Sequence, residues 1–178
     1  MATPTSAAAS LVDHVRDIHD FPKPGVVFKD VTPLLADHGA FTTAVEALVA
    51  YFDAGRVDKV VGIEARGFIL AAPIALHFGA GFIPARKAGK LPAATRSVTY
   101  DLEYGAETLE LHEDAIEPGE RVLIVDDVLA TGGTAAATAS LVAQAGGEIV
   151  GLGFLIELAF LAGAERIAGH DHVSLLSY

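Results

Sequence analysis

The chain reads as an α/β protein, a single domain built on a twisted, mainly parallel sheet with helices on both faces. Two observations predict this. From Phe41 to the end, short β-branched-rich runs alternate with helix-length segments whose apolar residues recur every three or four positions. Of 178 residues, 52% are hydrophobic and no stretch is repetitive or linker-like, so the chain can bury one sizeable core.

Leu11, Val15 and Ile18 are spaced for a short amphipathic helix after Ser10 as a cap. Phe21 to Pro33 contains three Pro and a Gly and should be a loop, with Pro33 opening a helical turn. Phe41, Val45, Leu48, Val49 and Phe52 mark an amphipathic helix that stops at Gly55. Lys59 to Ile63 is expected as a strand, Phe68 to Phe78 as a helix, and Gly81 to Ala85 as a second strand. Residues 87–113 are hydrophilic and alternate around Tyr100 to Gly105, which predicts a flexible β-ribbon or lid. A turn at Glu117 to Glu120 leads into a strand ending at Val125. A helix from Thr134 to Ala145, a strand near Ile149 to Ile156, a short helix through Ile167 and a strand at His172 to Leu176 complete the order.

Composition excludes several classes. The Ala-rich start lacks a basic n-region and an apolar h-region, and no uncharged run is long enough to span a bilayer, so a cytoplasmic protein without a membrane partner is expected. The absence of Cys rules out disulfides and thiolate zinc sites and is compatible with a reducing compartment. A net charge of −11 argues against a general nucleic-acid surface. Seven His are scattered without metal-ligand spacing, and no dedicated protein metal site is expected.

The chemistry concentrates in Val122 to Thr134, VLIVDDVLATGGT. A buried strand of a parallel sheet delivers its carboxyl end to a crevice, and Asp126 and Asp127 stand there. Carboxylates at that place accept hydrogen bonds from sugar hydroxyls or help to hold a hydrated divalent cation. Gly132 and Gly133 let main-chain N–H groups close on a phosphate, Thr131 and Thr134 add hydroxyls, and the following helix points its positive end at the same spot. The order of residue types therefore suits a phosphorylated sugar lying across one loop. A buried strand followed by an ordinary capped helix is the plainer alternative. The string is neither the nucleotide-triphosphate loop, since G-x-x-x-x-G-K-[ST] does not occur, nor the dinucleotide fingerprint, since the acids precede the glycines.

VLIVDDVLATGGT resembles the phosphoribosyl pyrophosphate (PRPP) motif of the type I phosphoribosyltransferases and is most similar to that of the adenine-specific members. FPKPGVVFKDVTPLL (Phe21 to Leu35), VVGIEARGFILAAPIAL (Val60 to Leu76), RKAGKLPAAT (Arg86 to Thr95) and YDLEYG (Tyr100 to Gly105) resemble segments of the same family in the same order. The likeness runs from about Phe21 to the C-terminus. It implies a single domain over residues 1–178, in which 1–35 form an N-terminal helix and a base-binding hood and 87–113 a flexible catalytic lid.

It further implies purine salvage: adenine and PRPP give AMP and diphosphate, with Mg²⁺ carried on the diphosphate and ribose oxygens, in a homodimer. Asp126 and Asp127 would take the ribose hydroxyls, and Ala130, Thr131, Gly132, Gly133 and Thr134 the 5′-phosphate. Glu64, Ala65 and Arg66 match the family's pyrophosphate loop, often with a cis peptide that falls at Glu64-Ala65 here; read alone, the segment favours a strand-to-helix turn with a surface Arg, and only its pairing with the PRPP motif reverses that. Arg86, Lys87 and Lys90 match diphosphate contacts, some of which reach across a dimer interface, although such clusters are also plain solvated faces. Glu103 and Tyr104 match the lid residues that manage the purine proton and cover the sugar or diphosphate, and an exposed hairpin acid is the alternative for Glu103. Val27, Phe28 and Lys29 match the adenine-binding stretch, with Lys29 where the family usually has Arg; Phe28 reads equally as a core aromatic. A phosphoribosyltransferase for a 6-oxopurine such as xanthine and a non-catalytic PRPP-binding regulator are the other functions compatible with the motif.

Overall fold

A computed structural model describes residues 10–53, 55–101 and 105–178. The elements follow in the order β1 (Arg16–His19), β2 (Val27–Asp30), α1 (Thr32–Ala36), α2 (His38–Phe52), β3 (Lys59–Ile63), α3 (Gly67–Phe78), β4 (Gly81–Lys87), β5 (Thr95–Asp101), β6 (Ala106–His112), β7 (Arg121–Leu129), α4 (Gly133–Gln144), β8 (Glu148–Glu157) and β9 (His172–Ser177). Seven strands form one sheet in the order β5-β6-β4-β3-β7-β8-β9. The pairs β4/β3, β3/β7, β7/β8 and β8/β9 are parallel, and β6 runs antiparallel to both of its neighbours, β4 and β5.

Strands buried on both faces send alternate side chains to opposite layers. In β3 and β7, Val60, Leu123 and Val125 pack with α2 and α3 on one face. Val61, Ile63, Val122 and Ile124 pack with α4 on the other. Helix α2 is started by Asp37, whose carboxylate accepts the Ala40 N–H at 2.8 Å, and its buried stripe includes Ala44, Leu48 and Phe52. No helix among the described residues is long and apolar enough to cross a membrane.

Several sequence expectations change. The helix after Ser10 covers Ser10 and Leu11, tightens into a 3-10 turn at Val12–His14, and yields to β1. Val15 and Ile18 therefore do not continue it; Ile18 instead pairs with Phe28 across an antiparallel hairpin. The expected loop from Phe21 to Pro33 accordingly contains β2, whose backbone groups are satisfied by β1, while Pro33 does open α1. Finally, β7 runs four residues past Val125 to Leu129, because β8 continues alongside it with Asp126 opposite Phe154 and Leu129 opposite Glu157. Asp126 and Asp127 thus sit within the strand. The short helix before the last strand is two 3-10 turns, Ala159–Leu161 and Gly163–Ile167.

Candidate active site

Strand order switches at β3, where the chain adds β4 on one side and later β7 on the other, both parallel to it, which opens a crevice at the carboxyl ends of these strands. A cleft of about 610 Å³ lies there. The β1–β2 hairpin brings Val27, Phe28 and Lys29 to it, the β3–α3 turn brings Glu64, Ala65 and Arg66, and β7 with its following loop brings Asp126, Asp127, Ala130 and Thr134. Lys87 from the end of β4 completes this set. Three strand ends and one hairpin therefore converge on one space.

The Glu64-Ala65 peptide is cis. Immediately after it, Gly67 begins α3 against the backbone of β7; a Cβ at Gly67 would stand 2.8 Å from Asp126 Oδ1 and 2.9 Å from the Val125 carbonyl oxygen. This close approach is open only to glycine. It brings Arg66 beside Asp127, with Nε 2.6 Å from Oδ2. The contact is one of charge, because the N–H is not aligned on the oxygen, and buried Oδ2 has no hydrogen-bond partner among the described residues. An acceptor in that condition favours a donor hydroxyl from a ligand.

Asp126 Oδ1 accepts the Asp127 N–H at 2.8 Å. Burial, and then the neighbouring Asp127 carboxylate, push the Asp126 carboxyl well above the ordinary carboxylate range.

Beyond the acids the chain turns through Ala130 to Gly133 around a smaller hollow of about 60 Å³, lined also by Thr131, Gly132 and Thr134. Gly132 has φ of 77°, and a Cβ there would meet the Gly163 carbonyl oxygen at 2.3 Å. The loop is thus pressed against the 3-10 turn at Gly163, and the hollow lies where α4 begins, at Thr134 and Ala135. This is a concavity suited to a phosphate group.

At the base end, Phe28 is half-buried and lines the cleft. Its ring meets Phe21 edge-on at 5.2 Å, and the Arg66 guanidinium lies 5.3 Å from its centroid. Arg66 therefore bridges the aromatic and acidic ends of the cleft. Lys29 Nζ turns to Asp17 at 2.7 Å and lies 3.9 Å from the centre of the Tyr178 ring.

The basic cluster is arranged differently from a plain anion receptor. Glu64 accepts the Lys87 main-chain N–H at 2.9 Å, faces Arg86 Nε at 3.3 Å, and forms an ion pair with Lys90. Burial raises the Glu64 carboxyl, but Lys90, the Lys87 N–H and Arg86 outweigh it and leave the group below its ordinary range. Arg86 and Lys90 reach the cleft through Glu64 and do not line it themselves. Glu103 and Tyr104 lie outside the described residues.

Three residues of the β-ribbon line the cleft without having been singled out from the sequence, Tyr100, Glu107 and Leu109. Alternation along the ribbon was their only signal in the sequence, and it does not say which face meets the cleft.

A family model described as a phosphoribosyl transferase domain matches residues 34–173. The chain is 57% identical over 173 residues to the adenine phosphoribosyltransferase of Acidothermus cellulolyticus, covering 97% of this chain and 98% of the relative. It is 58% identical over 161 residues to that of Thermobifida fusca, covering 90% of this chain and 92% of the relative. The crystal structure of the Rhodothermus marinus adenine phosphoribosyltransferase superimposes with a TM-score of 0.92 at 52% identity, over 97% of this chain and 98% of that one. The Saccharomyces cerevisiae adenine phosphoribosyltransferase, complexed with an imino-altritol bisphosphate and adenine, superimposes with a TM-score of 0.91 at 38% identity, over 96% of this chain and 99% of that one. The mainly parallel sheet, the crevice at its switch point, the small glycine-bounded hollow and this full-length identity agree, and the chain belongs to the phosphoribosyltransferase family, among its adenine phosphoribosyltransferases.

Proposed function

We propose that the enzyme transfers the 5-phosphoribosyl group of PRPP to adenine, giving AMP and diphosphate. The observation that carries this reading is one cleft holding a phosphate-sized glycine loop, two adjacent carboxylates and a half-buried aromatic hairpin, in a chain so close to relatives of that name. The purine nitrogen bonds to C1 of the ribose as the C1–oxygen bond to diphosphate breaks, and the purine proton is lost. Residues 130–134 hold the 5′-phosphate, and Asp126 and Asp127 orient the ribose hydroxyls, with Asp127 Oδ2, which faces Arg66 but accepts no hydrogen bond among the described residues, as an acceptor. Arg66, Arg86, Lys87 and Lys90 offset the growing charge of the diphosphate. Phe28 packs on the base, and main-chain groups of Val27 and Lys29 read its edge. Glu103 is the acid-base group for the purine proton and Tyr104 covers the sugar.

The donor set fits Mg²⁺, a hard cation that takes a few carboxylate oxygens and completes its shell from phosphate and water. Asp126 and Asp127 are the carboxylates at hand. When bound, the ion would neutralise charge on the leaving diphosphate.

We read the enzyme as a cytoplasmic homodimer. In support of a dimer, Ile69 and Leu76, seven residues apart on α3, are 42% and 83% exposed, and Phe82 on β4 is 39% exposed. Apolar side chains grouped this way favour a partner surface.

Incubating the purified protein with PRPP, Mg²⁺ and adenine, hypoxanthine, guanine or xanthine tests the assignment by chromatography of the nucleotides. AMP alone is expected, and Glu103→Gln should lower its rate by about 10²-fold or more. A 6-oxopurine nucleotide in place of AMP would reassign the base, and PRPP binding without any product would make the protein a regulator.

A further inference from the structure

The Tyr100 hydroxyl on β5 lies 3.0 Å from Thr134 Oγ1 and 3.3 Å from Glu107 Oε2. Thr134, in the first turn of α4, lines both the main cleft and the small hollow. The other Glu107 oxygen lies 2.5 Å from Lys87 Nζ. Four side chains thus connect the 5′-phosphate hollow to the basic cluster, and the proposed chemistry uses neither Tyr100 nor Glu107.

Counting protons gives this chain a direction. Glu107, paired with Lys87, can only accept, and the Tyr100 hydroxyl has a single proton. While Tyr100 donates to Glu107, its oxygen accepts from Thr134, whose own proton is then occupied. A phosphate entering the hollow needs that Thr134 proton. Thr134 can release it from Tyr100 and still have its oxygen satisfied if Tyr100 donates to Thr134 instead of to Glu107. The result is an unbroken series, Tyr100 to Thr134 to phosphate, ending on an anion where such donors are strongest. The Glu107 contact is the longer of the two, and the Glu107 carboxylate keeps Lys87 as its partner when the Tyr100 proton turns away. Burial raises the Tyr100 phenol above its ordinary range, which keeps the proton available at neutral pH.

We propose that Tyr100 is a positioning residue for the 5′-phosphate, acting through Thr134, with Glu107 as the alternative acceptor that holds its proton until phosphate arrives. The inference rests on reading residues 130–134 as the 5′-phosphate site.

The test is calorimetric binding of AMP and of adenosine to the full chain, in the original protein, Tyr100→Phe, Thr134→Val, Thr134→Ser and each Thr134 variant combined with Tyr100→Phe. Tyr100→Phe should weaken AMP about three- to tenfold, the usual yield of one hydrogen bond, and leave adenosine unchanged. The same change should cost nothing further in Thr134→Val and should cost again in Thr134→Ser, which keeps the hydroxyl. Equal losses in all backgrounds, or equal losses for AMP and adenosine, would overturn the proposal and give Tyr100 a merely structural role. An original protein that binds adenosine as tightly as AMP would instead overturn the phosphate-site reading itself. A second measurement needs no Tyr100 variant: AMP, but not adenosine, should produce a near-ultraviolet tyrosine difference spectrum that Thr134→Val abolishes. A spectrum that survives in Thr134→Val would equally sink the proposal.

Discussion

The Glu64 carboxylate accepts the main-chain N–H of Lys87 at 2.9 Å, and with that bond it draws Arg86 and Lys90 onto itself. An internal anion therefore occupies the cations proposed to receive diphosphate. Diphosphate must compete with it.

Removing that charge while keeping the shape should favour the external anion. Glu64→Gln is expected to tighten diphosphate as a product inhibitor by about three- to tenfold, since charge-assisted hydrogen bonds to Arg86 and Lys90 become free for it. Inhibition of AMP formation by added diphosphate measures this. Weaker inhibition in the variant would mean that Glu64 holds the cations in place for the ligand.

Asp126 should be a site where stability has been given up for binding. Its carboxyl is raised by burial and by the adjacent Asp127, so its ionised form opposes folding at neutral pH. For an acid raised in this way, the opposition fades as pH falls through the folded-state value. Asp126→Asn keeps an oxygen for the Asp127 N–H and removes the charge. It should raise stability by about 1 kcal/mol, roughly 2–4 °C in Tm, while PRPP binding falls at least tenfold. Thermal unfolding at pH 7 with a PRPP titration checks both halves; a drop in Tm would contradict the electrostatic account.

The Lys29 ammonium is engaged by Asp17 and by the Tyr178 ring. Arg makes the same two kinds of contact. Lys29→Arg should therefore leave the KM for adenine within about twofold, as expected if the base is read by main-chain groups of the hairpin. A shift of tenfold in steady-state kinetics would assign the side chain a direct part in base recognition.

The hairpin carrying those groups has its own pH dependence. Arg16 stands 2.6 Å from Asp30 Oδ2, and with the Thr32 N–H and hydroxyl it lowers the Asp30 pKa from 3.8 to about 2. A depressed folded-state value contributes stability that is full above the unfolded value near 3.8 and is lost as pH falls through about 2. Arg16→Ala should accordingly lower Tm slightly at pH 7, with the difference closing between pH 4 and pH 2. Carboxyl NMR titration should place the Asp30 midpoint near 2 in the original protein and closer to 3.8 in the variant.

The layered α/β architecture was legible because strands such as Lys59–Ile63 and helices such as Gly67–Phe78 are written in local pattern, apolar runs of strand length set against apolar residues of helical period. Local chemistry likewise determined the phosphate-sized turn at Thr131 to Thr134, since glycine freedom and hydroxyl donors act over a few residues. The hairpin of β1 and β2 was not legible. Each strand has four residues, and Leu11, Val15 and Ile18 happen to share a helical spacing, so only the pairing of Ile18 with Phe28 decides the matter. Nor could the sequence extend β7 beyond Val125, because the hydrogen bonds that carry it to Leu129 belong to β8.

Tertiary structure alone decided the electrostatics. Glu64 with Lys90, Arg66 with Asp127, and Tyr100 with Thr134 are each separated by 26 residues or more along the chain. Such contacts have no period to betray them. They exist because strands from distant parts of the sequence end side by side, and a charge or hydroxyl takes whatever partner the packed sheet places within reach.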